Sequence, residues 1–497
     1  MSISRVGRPP DEGRGGRGSR RFLPSSSDKP PVHKAVRGAK LATIPVAFAG
    51  RRAAGLGKRA LGRSAEEVNR DIQLRTAQHM FEVLGELKGC AAKLGQLLAI
   101  YELALPPDLA APYRAALSLL QDSAPTMLPR TVHLAMAESM GAGWRSEFLE
   151  FDDRRAAAAS LGQVHRGVWH DGTPVAVKVM YPGGRAAVAA DLEHLRRISY
   201  LAGVFLPGAD VKSVIEAICV CISAELDYPA EAEFQQRFVD AYAGDPDIHV
   251  PRVVEVRGDV LITEWVSGTP LSHVIEWGTK TERDRVGMLM IRFITSAWGR
   301  HGLLYADPHP GNFRILPDGR LGVFDFGACS TWPPDDSFEQ LGIDCCEAIF
   351  GGGPADLEAA IRRYGFVEPG RPIDCAALLA AVTPIGEPLH QPTFRLSNRW
   401  LRKQVLRTTN PTLTNVFREV TMPAYFTPFA RSLLTLVGVL CQLETEGAFL
   451  EEVRRWLPTY AEAISPRGGR PTDTNAGDAP IDLGAARRRR DAGRTAR

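Results

Sequence analysis

The sequence predicts an α+β protein of two lobes, preceded by a helical segment. Three patterns indicate this class. Apolar residues repeat with helical spacing over 64–101, β-branched residues alternate in short runs from about residue 149, and the pattern after about residue 330 is again helical. A chain of 497 residues has enough material for two lobes and additions. A β-rich lobe followed by a mainly helical lobe is an α+β architecture.

The first predicted element is a helix that begins near Ser64. Ser64 and Glu67 have the spacing of a capping box, in which the two residues satisfy each other's backbone N–H groups. Apolar side chains then recur at three- and four-residue spacing, namely Met80, Leu84, Leu87, Ala91, Leu94 and Leu98. Pro106 and Pro107 end the helix because proline cannot continue its hydrogen bonding.

Three β-hairpins are predicted further along the chain. The runs "QVHRGVW" and "PVAVKVM" are joined by a tight turn at Asp171-Gly172, and "VPRVVEVR" and "VLITEWV" by one at Gly258-Asp259. The runs "FRIL" and "LGVFDFG" flank the turn "PDG". Each hairpin brings two neighbouring strands together without a long connection.

Helices are predicted around these hairpins. They cover Asp191 to Val204, Val211 to Tyr242 and 283–303, and helical sequence continues to about residue 460. The chain is therefore expected to divide into a basic tail at 1–40, a helical extension at 41–148, an N-terminal lobe at 149–268, a helical C-terminal lobe at 269–465, and a second basic tail at 466–497.

The net charge of +3 is distributed unevenly. Residues 1–40 carry ten Lys/Arg and three acids (+7), and residues 466–497 carry eight and four (+4), which leaves the centre at 3 − 7 − 4 = −8. Both tails are poor in large apolar residues and are expected to be disordered. They are candidates for peripheral contact with an anionic membrane, with a merely solvated tail as the alternative, and nucleic acid is not an expected partner.

The remaining composition favours a cytoplasmic protein. The eight cysteines form no C-x-x-C motif and are interpreted as buried thiols in a reducing compartment. The N-terminus has no apolar signal-peptide core. The best apolar run, "SLLTLVGVLC" from Ser432, is far shorter than the roughly 20 residues needed to span a bilayer.

Four residues together suggest a site for phosphoryl transfer. Such a site needs a cation for the phosphates and oxygen ligands for magnesium. Lys178 lies in the middle of a strand, Asp307 and Asn312 stand five apart in "DPHPGN", and Asp325 begins "DFG" at a strand end. Singly, each has a plain alternative, either an exposed lysine or residues that simply form turns. Jointly, their order predicts that Asp307 handles the nucleophile's proton while Asn312 and Asp325 bind Mg²⁺.

An alanine-rich segment precedes the first hairpin, where a nucleotide-binding lobe usually has glycines. Ala157, Ala158, Ala159 and Ser160 are expected to form a stiffer cover over the phosphates, because the Cβ of alanine restricts the backbone. The alternative is a helix start, since alanine is the best helix former. Glu264 and Val266, at the end of the second hairpin, are further candidates for contact with ATP.

These motifs closely resemble those of the AarF/UbiB (ADCK) atypical kinase family. The resemblance rests on "KLGQ" at Lys93, "AAAASLGQVHR", "ELDYPAEA" at Glu225, "ADPHPGN" and "DFG", in this order over roughly residues 80–330. It implies a bilobal protein-kinase-like fold with the helical N-terminal extension packed over the cleft. It also implies binding of ATP with Mg²⁺ and an association with isoprenoid-lipid metabolism.

The resemblance assigns roles to further residues. It implies that Lys178 contacts the phosphates and pairs with Glu231. We hypothesise in addition that Lys93 and Gln96 reach across to Glu225 and Asp227, with a solvated helix lysine at Lys93 as the alternative. On this view the two acids have no partner of their own within the lobe. The chain departs from the family in having tyrosine before "ADPHPGN", in lacking an asparagine after the helix glutamate, and in lacking C-terminal transmembrane helices.

Three functions follow as hypotheses. The first is an Mg²⁺-dependent atypical kinase or ATPase acting on, or gated by, a small lipophilic molecule. The alternatives are a pseudokinase-like nucleotide-binding regulator and a small-molecule phosphotransferase. An ordinary protein kinase is disfavoured because Pro333-Pro334 cuts short the segment after "DFG" and no A-P-E follows.

Overall fold

The computed structural model describes residues 126–159, 161–205, 216, 219–220, 222–408, 419–421 and 423–465. The predicted helix at 64–101, both tails, Lys93, Gln96 and Ser160 lie outside these ranges. Over the described residues, a β-rich part is followed by a mainly helical part, as the sequence predicts.

The strands are short except in the first sheet. They are β1 Phe148–Ala159, β2 Gly162–Trp169, β3 Pro174–Met180, β4 Ile248–His249, β5 Val253–Arg257, β6 Val260–Glu264, β7 Thr269–Pro270, β8 Leu303–Tyr305, β9 Phe313–Ile315, β10 Leu321–Val323, β11 Cys329–Thr331, β12 Phe394–Arg395 and β13 Glu446–Gly447.

The helices fall mainly in the second half of the chain. They are α1 Pro129–Met140, α2 Gly184–Phe205, α3 Tyr228–Ala241, α4 Leu271–Trp277, α5 Lys280–Gly299, α6 Asp336–Phe350, α7 Pro354–Arg363, α8 Cys375–Val382, α9 Glu387–His390, α10 Asn398–Thr408, α11 Thr427–Leu443, α12 Phe449–Trp456 and α13 Pro458–Ile464.

A five-stranded antiparallel sheet forms the N-terminal lobe. Its strand order is β1-β2-β3-β6-β5, and it contains the first two predicted hairpins. Helix α1 packs on one face, where Val132 and Met136 join the fully buried Val175 and Val177 of β3 in one apolar core. The alternation of β3 places its valines in this core and its other side chains on the opposite face.

Helix α3 lies against the other side of the sheet, where Tyr228 and Ala232 pack with Met180 and Leu261. The predicted continuous helix from Val211 to Tyr242 is wrong, because the helix breaks at 225–227 and restarts at Tyr228. The carboxylate of Asp227 accepts a hydrogen bond from the N–H of Ala230 and thereby caps the new helix.

The C-terminal lobe is built around α5. A capping box of Thr279 and Glu282 starts this helix, and its apolar face lies in a large core with α11 and the four-stranded sheet β4-β10-β9-β7. The helix ends at Gly299 rather than at residue 303, because Leu303–Tyr305 form a strand. The third predicted hairpin, β9 with β10, is confirmed.

The segment after "DFG" is short. Cys329–Thr331 pair with β8, and α6 begins at Asp336, so only residues 328–335 separate Gly327 from the next helix. No helix in the described ranges is both long enough and apolar enough to cross a bilayer.

Candidate functional site

The central feature of the site is an ion pair between β3 and α3. The ammonium of Lys178 donates to both carboxylate oxygens of Glu231, at 2.7 and 2.9 Å. The Lys178 side chain is 19% exposed and that of Glu231 only 2%, so the pair is largely shielded from water. The plain alternative of a solvent-exposed lysine therefore does not describe this residue.

Two further groups surround the Lys178 ammonium. A carboxylate oxygen of Asp325 lies 3.9 Å away, and the ring centroid of Tyr228 lies 5.0 Å away. Burial alone would lower the pKa of Lys178, but the negative charges of Asp325 and Glu231 outweigh it and raise that pKa above its usual range. The ammonium is thus a permanent positive charge in the cleft, suited to bind phosphate oxygens.

Asp325 and Asn312, the predicted metal ligands, lie on neighbouring segments. The backbone N–H of Phe324 donates to the carbonyl of Asn312 at 2.9 Å, which ties the two segments together. Asp325 has a backbone φ of +61°, in the left-handed region that aspartate adopts more readily than most residues with a Cβ, and such conformations cluster at functional sites. Its carboxylate accepts from the N–H of Gly327 at 3.4 Å.

Asp307 lies in the loop between β8 and β9. The side-chain amide of Asn312 donates to the backbone carbonyl of Asp307 at 3.0 Å and closes this loop. The Asp307 carboxylate lies 3.0 Å from the guanidinium of Arg431, a residue of α11. Burial lowers the pKa of Arg431 to about 10, so the guanidinium keeps its charge at neutral pH.

Tyr305 lies at the start of the Asp307 loop and contacts the segment that carries Asp325. It is fully buried, and its hydroxyl donates to the carbonyl of Phe324 at 2.5 Å. Its position is where the family usually has a histidine, and here the phenol makes a bond to the residue before Asp325. Burial, with the nearby charge of Asp325, raises the pKa of Tyr305 well above its usual range, so the hydroxyl remains a donor.

The thiol of Cys329 is affected by the charges of three acids of the site. Burial raises the pKa of this thiol well above its usual range, and the charges of Asp325, Glu231 and Asp307 raise it further. The thiol is therefore protonated. The charges of all three carboxylates therefore act on one thiol.

The alanine segment forms the end of β1. Ala157, Ala158 and Ala159 pair with Val164, Gln163 and Gly162 of β2, so the segment is a strand and the alternative of a helix start is wrong. A Cβ on Gly162 would overlap the carbonyl oxygen of Val179, so glycine is required there for β2 to approach β3.

Behind this hairpin, two buried polar side chains link it to the chain before α1. Gln163 accepts from the N–H of Met127 at 3.0 Å, and its amide group lies 2.8 Å from Nε2 of His165. Nδ1 of His165 lies 2.9 Å from the carbonyl of Asp152. Because a carbonyl only accepts, Nδ1 carries the proton and Nε2 accepts from Gln163. All of these hydrogen bonds are formed when the His165 ring is neutral.

The cleft itself is narrow. Leu161, Lys178, Glu225, Tyr228 and Asp325 line a cavity in which water-sized molecules have about 10 Å³ of space, roughly enough for one water. Sites for small-molecule ligands usually measure about 300–1,000 Å³. Binding of a nucleotide therefore requires the lining to open, and Leu161 lies on the hairpin turn that closes it.

The two acids of "ELDYPAEA" differ in their placement. Glu225 is 7% exposed and lines the cleft. Asp227 caps α3 through Ala230, so the expectation that both acids lack a partner within the lobe is wrong for Asp227. A helix N-terminus needs such an acceptor. Whether Glu225 meets Lys93 or Gln96 stays a prediction.

Glu264 and Val266 lie where β6 leaves the sheet. Glu264 pairs with Val175 of β3, and its carboxylate lies 3.6 Å from Nε of Arg252. This end of β6 leads from the N-terminal sheet into the C-terminal lobe, which is consistent with a position beside a nucleotide. The contact with ATP stays a prediction.

The residues available for magnesium fit its usual chemistry. Magnesium is typically held by one or two carboxylates together with phosphate oxygens and water. The carboxylate of Asp325 and the amide of Asn312, held side by side by the Phe324 bond, supply oxygens of this kind. The described residues contain no cluster of three or more His, Cys, Asp or Glu suited to hold a metal by themselves.

Sequence reasoning missed Leu161, Arg431 and the contacts of Tyr228 and Tyr305. Leu161 and Tyr228 fall within the quoted motifs, so their places beside Lys178 could have been inferred from them. Arg431 lies outside every motif and reaches Asp307 only through the packing of α11.

Comparison with known proteins identifies the family that this chain is similar to. The ABC1 atypical kinase-like domain matches residues 119–345. Atypical kinase coq-8, mitochondrial, of Caenorhabditis elegans is 29% identical over 325 residues, which cover 64% of this chain and 42% of that protein. ACTIVITY OF BC1 COMPLEX KINASE 3, chloroplastic, of Arabidopsis thaliana is 29% identical over 360 residues, or 70% and 48%. The chain spans about half the length of the curated relatives it matches.

A solved structure is similar over a longer stretch. The Rv3197–erythromycin complex from Mycobacterium tuberculosis is 34% identical, with a TM-score of 0.58, and the match covers 80% of this chain and 100% of that one. The fold is thus the bilobal, kinase-like α+β fold that the motifs imply. The domain match, the relatives and the structural similarity show that this chain belongs to the ABC1 atypical kinase family, the family of the COQ8, AarF and UbiB proteins.

Proposed function

We propose that the protein binds ATP with Mg²⁺ in the cleft between the five-stranded sheet and the loop of Asp307, and transfers or hydrolyses its terminal phosphoryl group. The observation that carries this proposal is the shielded Lys178–Glu231 pair with Asp325 at 3.9 Å. A buried charge network costs desolvation energy and is weak evidence for stability alone. The desolvation cost of this network is explained if the Lys178 ammonium binds a ligand.

Each residue of the site is proposed to have one role in phosphoryl transfer. Lys178 binds and orients the phosphates, while Asn312 and Asp325 would hold Mg²⁺, which neutralises phosphate charge when bound. Asp307 accepts the proton of the attacking hydroxyl or water. Phosphoryl transfer depends mainly on positioning and charge stabilisation, so a rigid loop closed by the Asn312 bond suits it.

The acceptor is proposed to be, or to be controlled by, a small lipophilic molecule of the isoprenoid-lipid type. Two observations support a small molecule over a peptide. Residues 328–335 leave little chain after Gly327 for a peptide platform. The structurally similar Rv3197 has been solved in complex with erythromycin, which is not a peptide.

A non-catalytic nucleotide-binding regulator is the second candidate. The observation that favours it is the narrow cleft beside Lys178, which has room for about one water molecule. A cleft closed in this way suits a protein that holds a nucleotide without consuming it.

One experiment separates the two. ADP release by the purified full chain should require Mg²⁺ and rise when detergent micelles or isoprenoid-lipid vesicles are added. Asp325→Asn is the matched inactive control. ADP release at the Asp325→Asn level under all conditions, with nucleotide binding intact, would establish the regulator instead.

A further inference from the structure

The feature that the motifs do not explain is the contact between α11 and the loop of Asp307. The guanidinium of Arg431 lies 3.0 Å from the Asp307 carboxylate, and both side chains are mostly buried, at 12% and 15% exposure. The next residue, Ser432, is fully buried and donates to the carbonyl of Tyr305 at 2.7 Å. Two successive residues of α11 therefore contact the end of β8 and the carboxylate of Asp307.

This helix is firmly anchored. Leu436, Val439 and Leu440 lie in the large core of the C-terminal lobe. At the other end of α11, the ring of Phe429 stacks on Trp332, with centroids 4.8 Å apart and planes 13° apart. The guanidinium thus projects from an element that is packed at both ends, which is what precise placement of a reacting group requires.

Each acid of the site has a cation beside it. The charges of Asp325, Glu231 and Asp307 all raise the pKa of the same thiol, that of Cys329. The Lys178 ammonium interacts with Glu231 and Asp325. The guanidinium of Arg431 gives Asp307 a cation of its own, as Lys178 does for the other two acids.

We propose that Arg431 is a positioning residue for phosphoryl transfer, which holds the Asp307 carboxylate in the orientation that receives the proton of the acceptor. The proposal rests on the catalytic function proposed above. Arg431 acts through Asp307 and not on the nucleotide, so its removal should reduce turnover without weakening ATP binding. It gives α11 a part in the chemistry, although α11 contains none of the recognised motifs.

The test compares three variants of the full chain. In Arg431→Met we expect kcat for ADP release to fall at least ~10-fold while the Kd for Mg·ATP stays within about twofold. Arg431→Lys should recover part of kcat, because lysine keeps the charge but not the planar geometry of arginine. Arg292→Met is the matched control, since Arg292 is also partly buried and paired with Asp247 and Glu452, away from the cleft.

The outcomes distinguish this proposal from the function on which it rests. Equal kcat in Arg431→Met and wild type, a higher kcat in Arg431→Met, or equal losses in Arg431→Met and Arg292→Met would each overturn the positioning role. A wild type without ATP turnover would overturn the proposed catalytic function instead. In that case the pairing of Arg431 with Asp307 would be tested by a double-mutant cycle of Arg431→Met and Asp307→Asn, with the free energy of unfolding as the measured quantity. Additive losses in that cycle would overturn it, and a double variant more stable than the sum would support it.

Discussion

Lys178 and Asp325 have different parts in one charge network. Lys178 is the cation for the phosphates, and Asp325 is the predicted metal ligand beside it, 3.9 Å away. Loss of the lysine leaves Glu231 buried without its partner, which typically costs about 3–5 kcal/mol. Stability and nucleotide binding must therefore be measured separately in these variants.

We expect Lys178→Ala to reduce the ATP-induced rise in Tm both with and without Mg²⁺. Asp325→Asn should retain the metal-independent rise and lose the additional effect of Mg²⁺. Thermal unfolding with ATP, with Mg²⁺ and with both measures this. The double variant of Lys178→Ala and Glu231→Gln is the control, because it removes the carboxylate charge that Lys178→Ala alone leaves without its cation. Nucleotide shifts equal to wild type in both single variants would refute the assignment of this site.

His165 should make stability depend on pH. Burial lowers its pKa below the ordinary 6.5, although the bond to the Asp152 carbonyl opposes this. Above pH 6.5 the ring is neutral in both the folded and the unfolded chain, so the stabilisation is complete. As pH falls below 6.5, the unfolded chain binds the proton more readily, and the stabilisation is lost towards the lower folded pKa.

The difference in unfolding free energy between wild type and His165→Asn should therefore shrink as pH falls below about 6.5. Denaturant unfolding at a series of pH values measures it. A variant of His301, whose pKa burial lowers to about 4, is the control, because its difference should keep changing down to that pH. A difference for His165→Asn that is constant with pH would contradict the neutral hydrogen-bonded ring.

At the scale of elements, the break before α3 decides what its two acids can do. Asp227 caps the helix, whereas Glu225 faces the cleft. Replacing Asp227 should cost about 1 kcal/mol of stability through the lost cap. Any interaction with the helix that carries Lys93 and Gln96 is therefore better tested through Glu225.

We predict that Lys93 and Glu225 are energetically coupled across the cleft. Lys93→Ala and Glu225→Ala should each alter ATP affinity, and the double variant should differ from their sum by about 0.5–3 kcal/mol. ATP affinity in the four chains of this cycle is the measurement. Asp227→Ala serves as the control that changes the same segment without a charge facing the cleft. Strict additivity would remove the basis for a clamp between these residues.

At the scale of the whole molecule, charge separates the tails from the lobes. The tails carry +7 and +4 around a centre of −8. We expect the full chain to sediment with anionic vesicles at low salt, and a truncated chain of residues 41–465 to do so much less. Raising the salt should release the full chain, since screening shortens the range of such attraction to about 8–10 Å near physiological ionic strength. Equal sedimentation of both chains would show that the tails are not the contact.

The order of the main elements and the residues proposed for the site can be read from the amino-acid sequence. Alternation along β3 places Lys178 opposite the valines that enter the core, and tight turns fix three hairpins. These signals are local, because a strand's two faces and a turn's backbone depend on a few neighbouring residues. The spacing of Asp307, Asn312 and Asp325 is of the same kind.

The contacts of α11 with the Asp307 loop depend on tertiary packing and are not indicated by the sequence. Ser432 contacts Tyr305 across 127 residues of sequence, and the neighbouring Arg431 reaches Asp307 in the same way. The break before α3, which sets Asp227 apart from Glu225, also became visible only in the tertiary structure. Contacts of this range depend on how whole helices pack on a shared core, and no short pattern in the sequence records that packing.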